Sequence, residues 1–133
     1  IITGGGGFLG QALARELAKR GELANKEGIQ ETISDLVLLD VCSPPEPIEG
    51  SRYVQADLSS PGALAVVSEG VDAVFHLAAV DSGAADANFD LGMKVNFDAT
   101  RAVLTRCRRL ETKPRVVFTS SYWIFGRPPP PPG

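Results

Sequence analysis

The sequence predicts an α/β domain built on a doubly wound parallel sheet, and three observations carry that prediction. Short, nearly continuous apolar runs alternate with stretches of helical periodicity, a glycine string follows the first run, and each residue suited to chemistry falls at or just past the end of a predicted strand. Strands covered by helices on both faces read as unbroken apolar runs, which is the pattern here. The chain has 133 residues, 44% hydrophobic and 22% charged, enough for one domain with its own core and no metal or disulfide staple.

Taken in order, Ile1 and Ile2 are the end of a first strand, shorter than the about five or six residues usual for one, so part of it is expected to precede them. A helix starts near Leu9, where Leu9, Leu13 and Leu17, flanked by Ala14 and Ala18, make one stripe that Gly21 terminates. Residues 22–34, polar and rich in turn formers, read as an insertion. Leu36-Val37-Leu38-Leu39 is the second strand, and the more mixed Arg52-Tyr53-Val54-Gln55-Ala56 a third, at an edge. Ser60 as a cap and Pro61 at the first helical position predict a short helix over 60–69, closed by Gly70. Val71-Asp72-Ala73-Val74-Phe75-His76-Leu77 is the fourth strand and Arg115-Val116-Val117-Phe118-Thr119 the fifth. Between them a helix is predicted over 88–110, with Leu91, Val95, Ala99, Ala102, Val103, Cys107 and Leu110 on one face. Its Arg106, Arg108 and Arg109 fall in the last turn, where positive charge complements the helix dipole. Right-handed crossovers then give the strand order 3-2-1-4-5 in an incomplete sheet. Residues 128–132 are consecutive prolines, suited to extended polyproline II, so the reading is a domain over 1–126 that is cut at both ends and a proline-rich tail over 127–133.

Charge and composition narrow the function. With 13 basic and 16 acidic side chains and a net charge of −3, the chain is unsuited to broad binding of nucleic acid or an anionic membrane surface. No apolar run approaches the ~20 residues of a membrane helix and no signal peptide opens the chain, which points to the cytoplasm. Cys42 and Cys107 lack CxxC spacing and His76 is the single histidine, so no zinc site or disulfide framework is recognisable and no metal is expected.

Thr3-Gly4-Gly5-Gly6-Gly7-Phe8-Leu9-Gly10 lies between the first strand and the first helix, the context that makes a glycine string a phosphate cradle rather than a flexible turn. Gly4 permits the tight turn, Gly7 lets backbone approach a pyrophosphate, and Gly10 lets the helix lie close on the sheet, with the N–H groups near Phe8 and Leu9 toward the anion. Asp40, ending the second strand, is placed to accept the hydroxyls of an adenosine ribose and to repel a 2′-phosphate, which favours NAD over NADP; the alternative is a simple turn residue. It lies thirty residues past Gly10 against a usual ~20, an excess that the 22–34 insertion accounts for.

These motifs, with Asp57-Leu58 after the third strand, His76-Leu77-Ala78-Ala79 after the fourth, Val95-Asn96 in the long helix and 119–126 after the fifth, resemble the extended short-chain dehydrogenase/reductase family, which includes NAD-dependent nucleotide-sugar epimerases and dehydratases. Residues 76–96 and 114–126 most resemble its branch that oxidises the four-carbon sugar acid D-erythronate. The resemblance implies a Rossmann fold, NAD as cofactor and a small carbohydrate substrate. It places Asp57 and Leu58 at the adenine, Leu77, Ala78 and Ala79 along the cofactor, and Asn96 and Thr119 beside it. Capping by Asp57 and ordinary strand-end packing of the alanines are the competing readings. It makes Ser121 the catalytic serine that holds the substrate oxygen, and Ser82 a further substrate contact. Asp81 departs from the apolar residue expected beside it and, being an anion, sits awkwardly with an anionic sugar acid. His76 is expected to be a hydrogen-bonded histidine rather than a catalytic one. The family's base is the tyrosine of a YxxxK motif, and this chain has none: Tyr53 is followed at the fourth position by Asp57, and Tyr122 by Gly126. The expectation is therefore a chain that binds NAD but is inactive alone, with a homodimer possible through the 88–110 helix. Epimerisation or dehydration of a nucleotide sugar is the alternative reaction, and a catalytically silent dinucleotide-binding module the alternative class.

Overall fold

The computed structural model describes residues 1–60 and 62–126. Its elements are β1 (Ile2–Thr3), α1 (Phe8–Arg20), β2 (Glu22–Ala24), β3 (Gln30–Thr32), β4 (Val37–Asp40), β5 (Arg52–Gln55), a 3-10 turn (Ala63–Val66) and β6 (Ala73–His76). There follow α2 (Ser82–Ala87), α3 (Phe89–Gly92), a π-helical stretch (Met93–Ala99), α4 (Thr100–Cys107), β7 (Arg115–Phe118) and a 3-10 turn (Tyr122–Phe125). Five strands pair in parallel in the order β5-β4-β1-β6-β7, which is the predicted 3-2-1-4-5. β1 lies at the centre: Ile2 sits opposite Leu38 and Phe75, and Thr3 opposite Leu39 and His76.

Helices cover the two faces. Ala14 and Leu17 of α1 pack with Ile2, Leu36, Leu38 and Ile48, whereas Val103 and Cys107 of α4 pack with Val67, Val74 and Leu110. α1 stops where its sequence predicted, since Gly21 takes φ +68° and returns its N–H to the Leu17 carbonyl at 2.9 Å. Among the described residues no helix is long and apolar enough to cross a membrane.

Four expectations need correction. The 60–69 helix is only the 3-10 turn Ala63–Val66, because Gly62 (φ +83°) and Gly70 (φ +89°) adopt left-handed conformations at either side and interrupt helical geometry; Pro61 lies outside the described residues, as does the proline tail. The 88–110 helix starts earlier, at Ser82, and is broken: Asn88 is extended and caps the next turn by accepting the Leu91 N–H at 3.0 Å. The π-helical stretch then shifts the helical phase, so Ala99, Val103, Cys107 and Leu110 are buried while Leu91 is 37% exposed. α4 ends at Cys107, which leaves Arg108 and Arg109 beyond it, and Arg106 donates from Nε to the Val67 carbonyl at 2.6 Å. β7, predicted to be covered on both faces, is a sheet edge with Phe118 53% exposed. The 22–34 insertion stands as read and is an antiparallel hairpin, β2 against β3, whose turn is organised by Asn25 Oδ1 accepting the Glu27 and Ile29 N–H groups.

Gly10 gives the sharpest test of this packing. A Cβ there would lie 2.1 Å from the Gly4 oxygen and 2.7 Å from Gly5 Cα, both backbone atoms that cannot swing aside. Gly10→Ala is expected to lift α1 from the sheet and cost at least about 1–3 kcal/mol, the usual overpacking range, seen as a lower denaturant midpoint at unchanged m-value.

Candidate functional site

The carboxyl end of the sheet is shaped by glycines that cannot carry side chains. Gly4 turns the chain at φ +73°, and its N–H donates to the Leu39 carbonyl at 2.8 Å. A Cβ on Gly4 would meet the Ala78 nitrogen at 2.7 Å, one on Gly5 would meet Leu38 Cβ at 2.7 Å, and one on Gly6 the Cys42 carbonyl oxygen at 2.0 Å. Gly7 is open by comparison, its nearest neighbour being the Gly4 oxygen at 3.3 Å. Gly5 and Gly6 were missed by spacing alone; the unbroken run of four glycines was the signal for them. α1 begins at Phe8, 85% exposed, with Leu9 also exposed, and no described side chain caps its first turn. Such a helix start, with free amides and the positive end of the dipole, suits an anionic group.

Asp40 ends β4 against this turn. Its Oδ2 accepts the Gly6 N–H at 2.9 Å and its Oδ1 accepts the Cys42 N–H at 3.2 Å, so the carboxylate both orders its own turn and stands at the glycine loop. Asp57 follows β5 and acts as a turn acid. Oδ1 accepts the Ser59 N–H at 2.9 Å and the Ser59 hydroxyl at 2.5 Å, and Oδ2 accepts the Ser60 hydroxyl at 3.4 Å. The Ser59 bonds hold its carboxyl below the ordinary carboxylate range. Leu58 is half-buried against the Val67–Val74 cluster, and Leu77 against the Ile2–Leu38 cluster.

A hydrogen-bonded file crosses the site through His76. Thr100 donates its hydroxyl to the Asn96 carbonyl at 2.8 Å, so its oxygen accepts from His76 Nε2 at 2.9 Å. The neutral ring then accepts at Nδ1 from the Thr3 hydroxyl at 2.6 Å, and the Thr3 oxygen accepts the Ala78 N–H at 3.3 Å. Every hydroxyl in the file donates once. Asn96 adds a second tie: its amide group accepts the Val80 N–H at 2.9 Å and donates to the Val80 carbonyl at 3.0 Å. His76 is thus hydrogen-bonded on both nitrogens, as expected, and Thr3 and Thr100 are the partners that no sequence pattern marked.

The structure brings Gly4 and Gly6 into contact with Ala78 and Asp40. Ala79, exposed, continues the segment after β6. Ser82 opens α2, next to Asp81, whose carboxylate caps that helix by accepting the Ala84 N–H at 2.9 Å; this accounts for the charge the sequence left odd. Thr119 donates its N–H to the His76 carbonyl at 3.3 Å, and Ser121, exposed, lies two residues further. Asp57, Ser82, Thr119 and Ser121 all follow the carboxyl ends of parallel strands, Asp57 after β5, Ser82 after β6, and Thr119 and Ser121 together after β7.

Burial pushes the His76 pKa below its ordinary value of 6.5, because the charged ring is poorly solvated. A base whose pKa is lower folded than unfolded contributes stability above the unfolded value and loses it as pH falls through the folded one. The unfolding midpoint is therefore expected to drop as pH falls below about 6.5, and a His76→Gln variant is expected to show a flatter profile in that window. Chemical denaturation from neutral to mildly acidic pH measures both.

Comparison with known proteins fits this geometry. The model of the 3-beta hydroxysteroid dehydrogenase/isomerase family matches residues 1–128. D-erythronate dehydrogenase of Cupriavidus necator is 51% identical over 98% of the chain, which spans 41% of that protein. Among solved structures, a nucleoside-diphosphate-sugar epimerase from Agrobacterium tumefaciens superposes with a TM-score of 0.80 at 37% identity, over 97% of this chain and 39% of its own. A mutant uronate dehydrogenase from Agrobacterium tumefaciens, complexed with NAD, does so at 0.68 and 26% identity, over 90% of this chain and 39% of its own. The chain spans about two-fifths of the length of these relatives. With its parallel sheet, its glycine turn and a family model matched over almost all of its length, the chain belongs to the 3-beta hydroxysteroid dehydrogenase/isomerase family of short-chain dehydrogenases/reductases.

Proposed function

We propose that this chain is the NAD-binding part of an oxidoreductase that transfers hydride between NAD and a sugar acid of the D-erythronate type. The observation that carries the reading is the Asp40 carboxylate, 2.9 Å from the Gly6 amide at the mouth of a turn where a Cβ on Gly4, Gly6 or Gly10 would strike backbone. That arrangement pairs a cradle for a pyrophosphate with an acceptor for ribose hydroxyls. The residues fit the cofactor. Gly4, Gly7 and Gly10 shape the cradle and the amides near Phe8 and Leu9 face the phosphates. Asp57 retains acceptor capacity beyond its three serine bonds for an adenine amino group, beside Leu58. Leu77, Ala78 and Ala79 line the cofactor's path, while Asn96 and Thr119 fix its borders. NAD when bound supplies the nicotinamide that accepts hydride.

Ser121 orients the substrate oxygen and Ser82 contacts the substrate. A serine hydroxyl of ordinary acidity cannot take the alcohol proton near neutral pH, a step typically worth ~10²–10⁴ in rate. Tyr53 does not serve either, as its hydroxyl is committed to the Asp40 carbonyl at 2.8 Å. The likeness to the sugar-nucleotide epimerase, with its TM-score of 0.80, supports a second reading with the same cofactor and a nucleotide-sugar substrate. The reading includes a homodimer through the 88–110 segment: Phe89 is 73% exposed and Met93, Phe97 and Leu104 are exposed with it.

Two experiments follow. Protein expressed from the complete reading frame is expected to reduce NAD with D-erythronate, followed as NADH absorbance; turnover of a nucleotide sugar instead would select the second reading. Asp40→Ser is expected to weaken NAD and strengthen NADP in calorimetric titration, and a wild-type protein that bound both equally would refute the role of Asp40.

A further inference from the structure

Asp40 does not hold itself in place. β4 and β5 pair with Leu38 opposite Tyr53 and Asp40 opposite Gln55, and from β5 both side chains reach back to the turn that follows β4. The Tyr53 hydroxyl donates to the Asp40 carbonyl at 2.8 Å, and Gln55 Nε2 donates to the Val41 carbonyl at 3.1 Å. These are consecutive carbonyls, so the two bonds fix two successive peptide planes. The Ala56 N–H also donates to the Asp40 carbonyl, at 2.9 Å, and keeps that oxygen paired if the tyrosine hydroxyl is removed. On the other flank the turn is closed by the glycine loop, through Gly6 N–H to Asp40 Oδ2, Cys42 N–H to Oδ1, and the Cys42 carbonyl packed where a Gly6 Cβ would stand. The carboxylate thus projects from a backbone clamped on both sides, and the β5 clamp is made by two side chains with no other role in the site.

We propose that Tyr53 and Gln55 are positioning residues that set the preference for NAD over NADP by holding the backbone from which Asp40 projects. The proposal rests on the reading of Asp40 as the ribose acceptor. Acceptance of ribose hydroxyls demands hydrogen-bond distance and angle, whereas repulsion of a 2′-phosphate weakens as the carboxylate moves away. A turn released from β5 can shift its carboxylate outward, so it loses affinity for NAD and tolerates NADP. Burial of the phenol, with the nearby Asp40 and Cys42, raises the Tyr53 pKa above its ordinary 10, so the hydroxyl keeps its proton and remains a donor across the physiological range.

The test is calorimetric titration of NAD and NADP on protein from the complete reading frame, in the wild type, Tyr53→Phe, Gln55→Ala, the double variant and Asp40→Ser. Each single variant is expected to shift the NADP-to-NAD affinity ratio toward NADP by roughly three- to tenfold, the worth of one neutral hydrogen bond. The double variant is expected to shift it further, with a thermal midpoint close to wild type. In an Asp40→Ser background, Tyr53→Phe is expected to leave the ratio unchanged, which a merely structural role would not produce. A double variant with the wild-type ratio, or one that weakens both nucleotides equally, overturns the proposal while leaving Asp40 as ribose acceptor. If Asp40→Ser itself leaves the ratio unchanged, the reading of Asp40 falls and the proposal with it.

Discussion

The file of hydrogen bonds through His76 is the interaction on which the arrangement of this sheet end depends. It starts at the Ala78 amide, passes through the Thr3 hydroxyl on the central strand and the imidazole on β6, and ends at the Asn96 carbonyl of the π-helical stretch. Three elements that are distant in sequence are thereby referred to one another by bonds of fixed direction. Thr3 and His76 are among the most deeply buried polar residues, so each bond in the file replaces solvation that the group has lost, and omission of one leaves an orphan in a poorly solvated place. The glycine turn begins one residue after Thr3, and the segment after β6 starts one residue after His76. Their separation is therefore set by the same few bonds that satisfy the histidine.

Sterics act on top of this framework. The first helix can approach only because Gly10 has no side chain, and the turn can lie against β4 and the segment after β6 only because Gly4, Gly5 and Gly6 have none. Charge then acts last. Asp40 is the carboxylate that the packed backbone delivers to the turn, and its two oxygens are divided between the loop it faces and the loop it belongs to. Asp57, by contrast, is spent chiefly on its own serines.

Features written in local residue chemistry were legible from the sequence. Apolar runs gave the strands, parallel crossovers gave their order, and the glycine string after the first strand, with Asp40 ending the second, marked the tight turn and the carboxylate that stands against it. Features that depend on distant partners were not. Thr3 and Thr100 are ordinary polar residues until His76 is folded between them, and Tyr53 reads as a strand aromatic until its hydroxyl is seen at the Asp40 carbonyl. The long helix misled for a related reason: a seven-residue π-helical stretch changes the phase of the apolar stripe, and no 3.6-residue periodicity announces it. In the 60–69 segment the caps looked sound, but left-handed Gly62 and Gly70 and the burial of Val67 prevailed over helical propensity.

The β2–β3 hairpin has a consequence of a different kind. Its two ends meet, since the Ile33 N–H donates to the Gly21 carbonyl at 2.9 Å, and of its own residues Leu23 packs against the core. It also sits where α1 returns to β4, at the end of the sheet opposite the glycine turn. A segment whose ends already touch adds little closure entropy as it lengthens or shortens. The position is consequently a natural point for grafting: a tag, a reporter or a second module can replace the hairpin tip while the end of the sheet that carries the glycine turn keeps its shape.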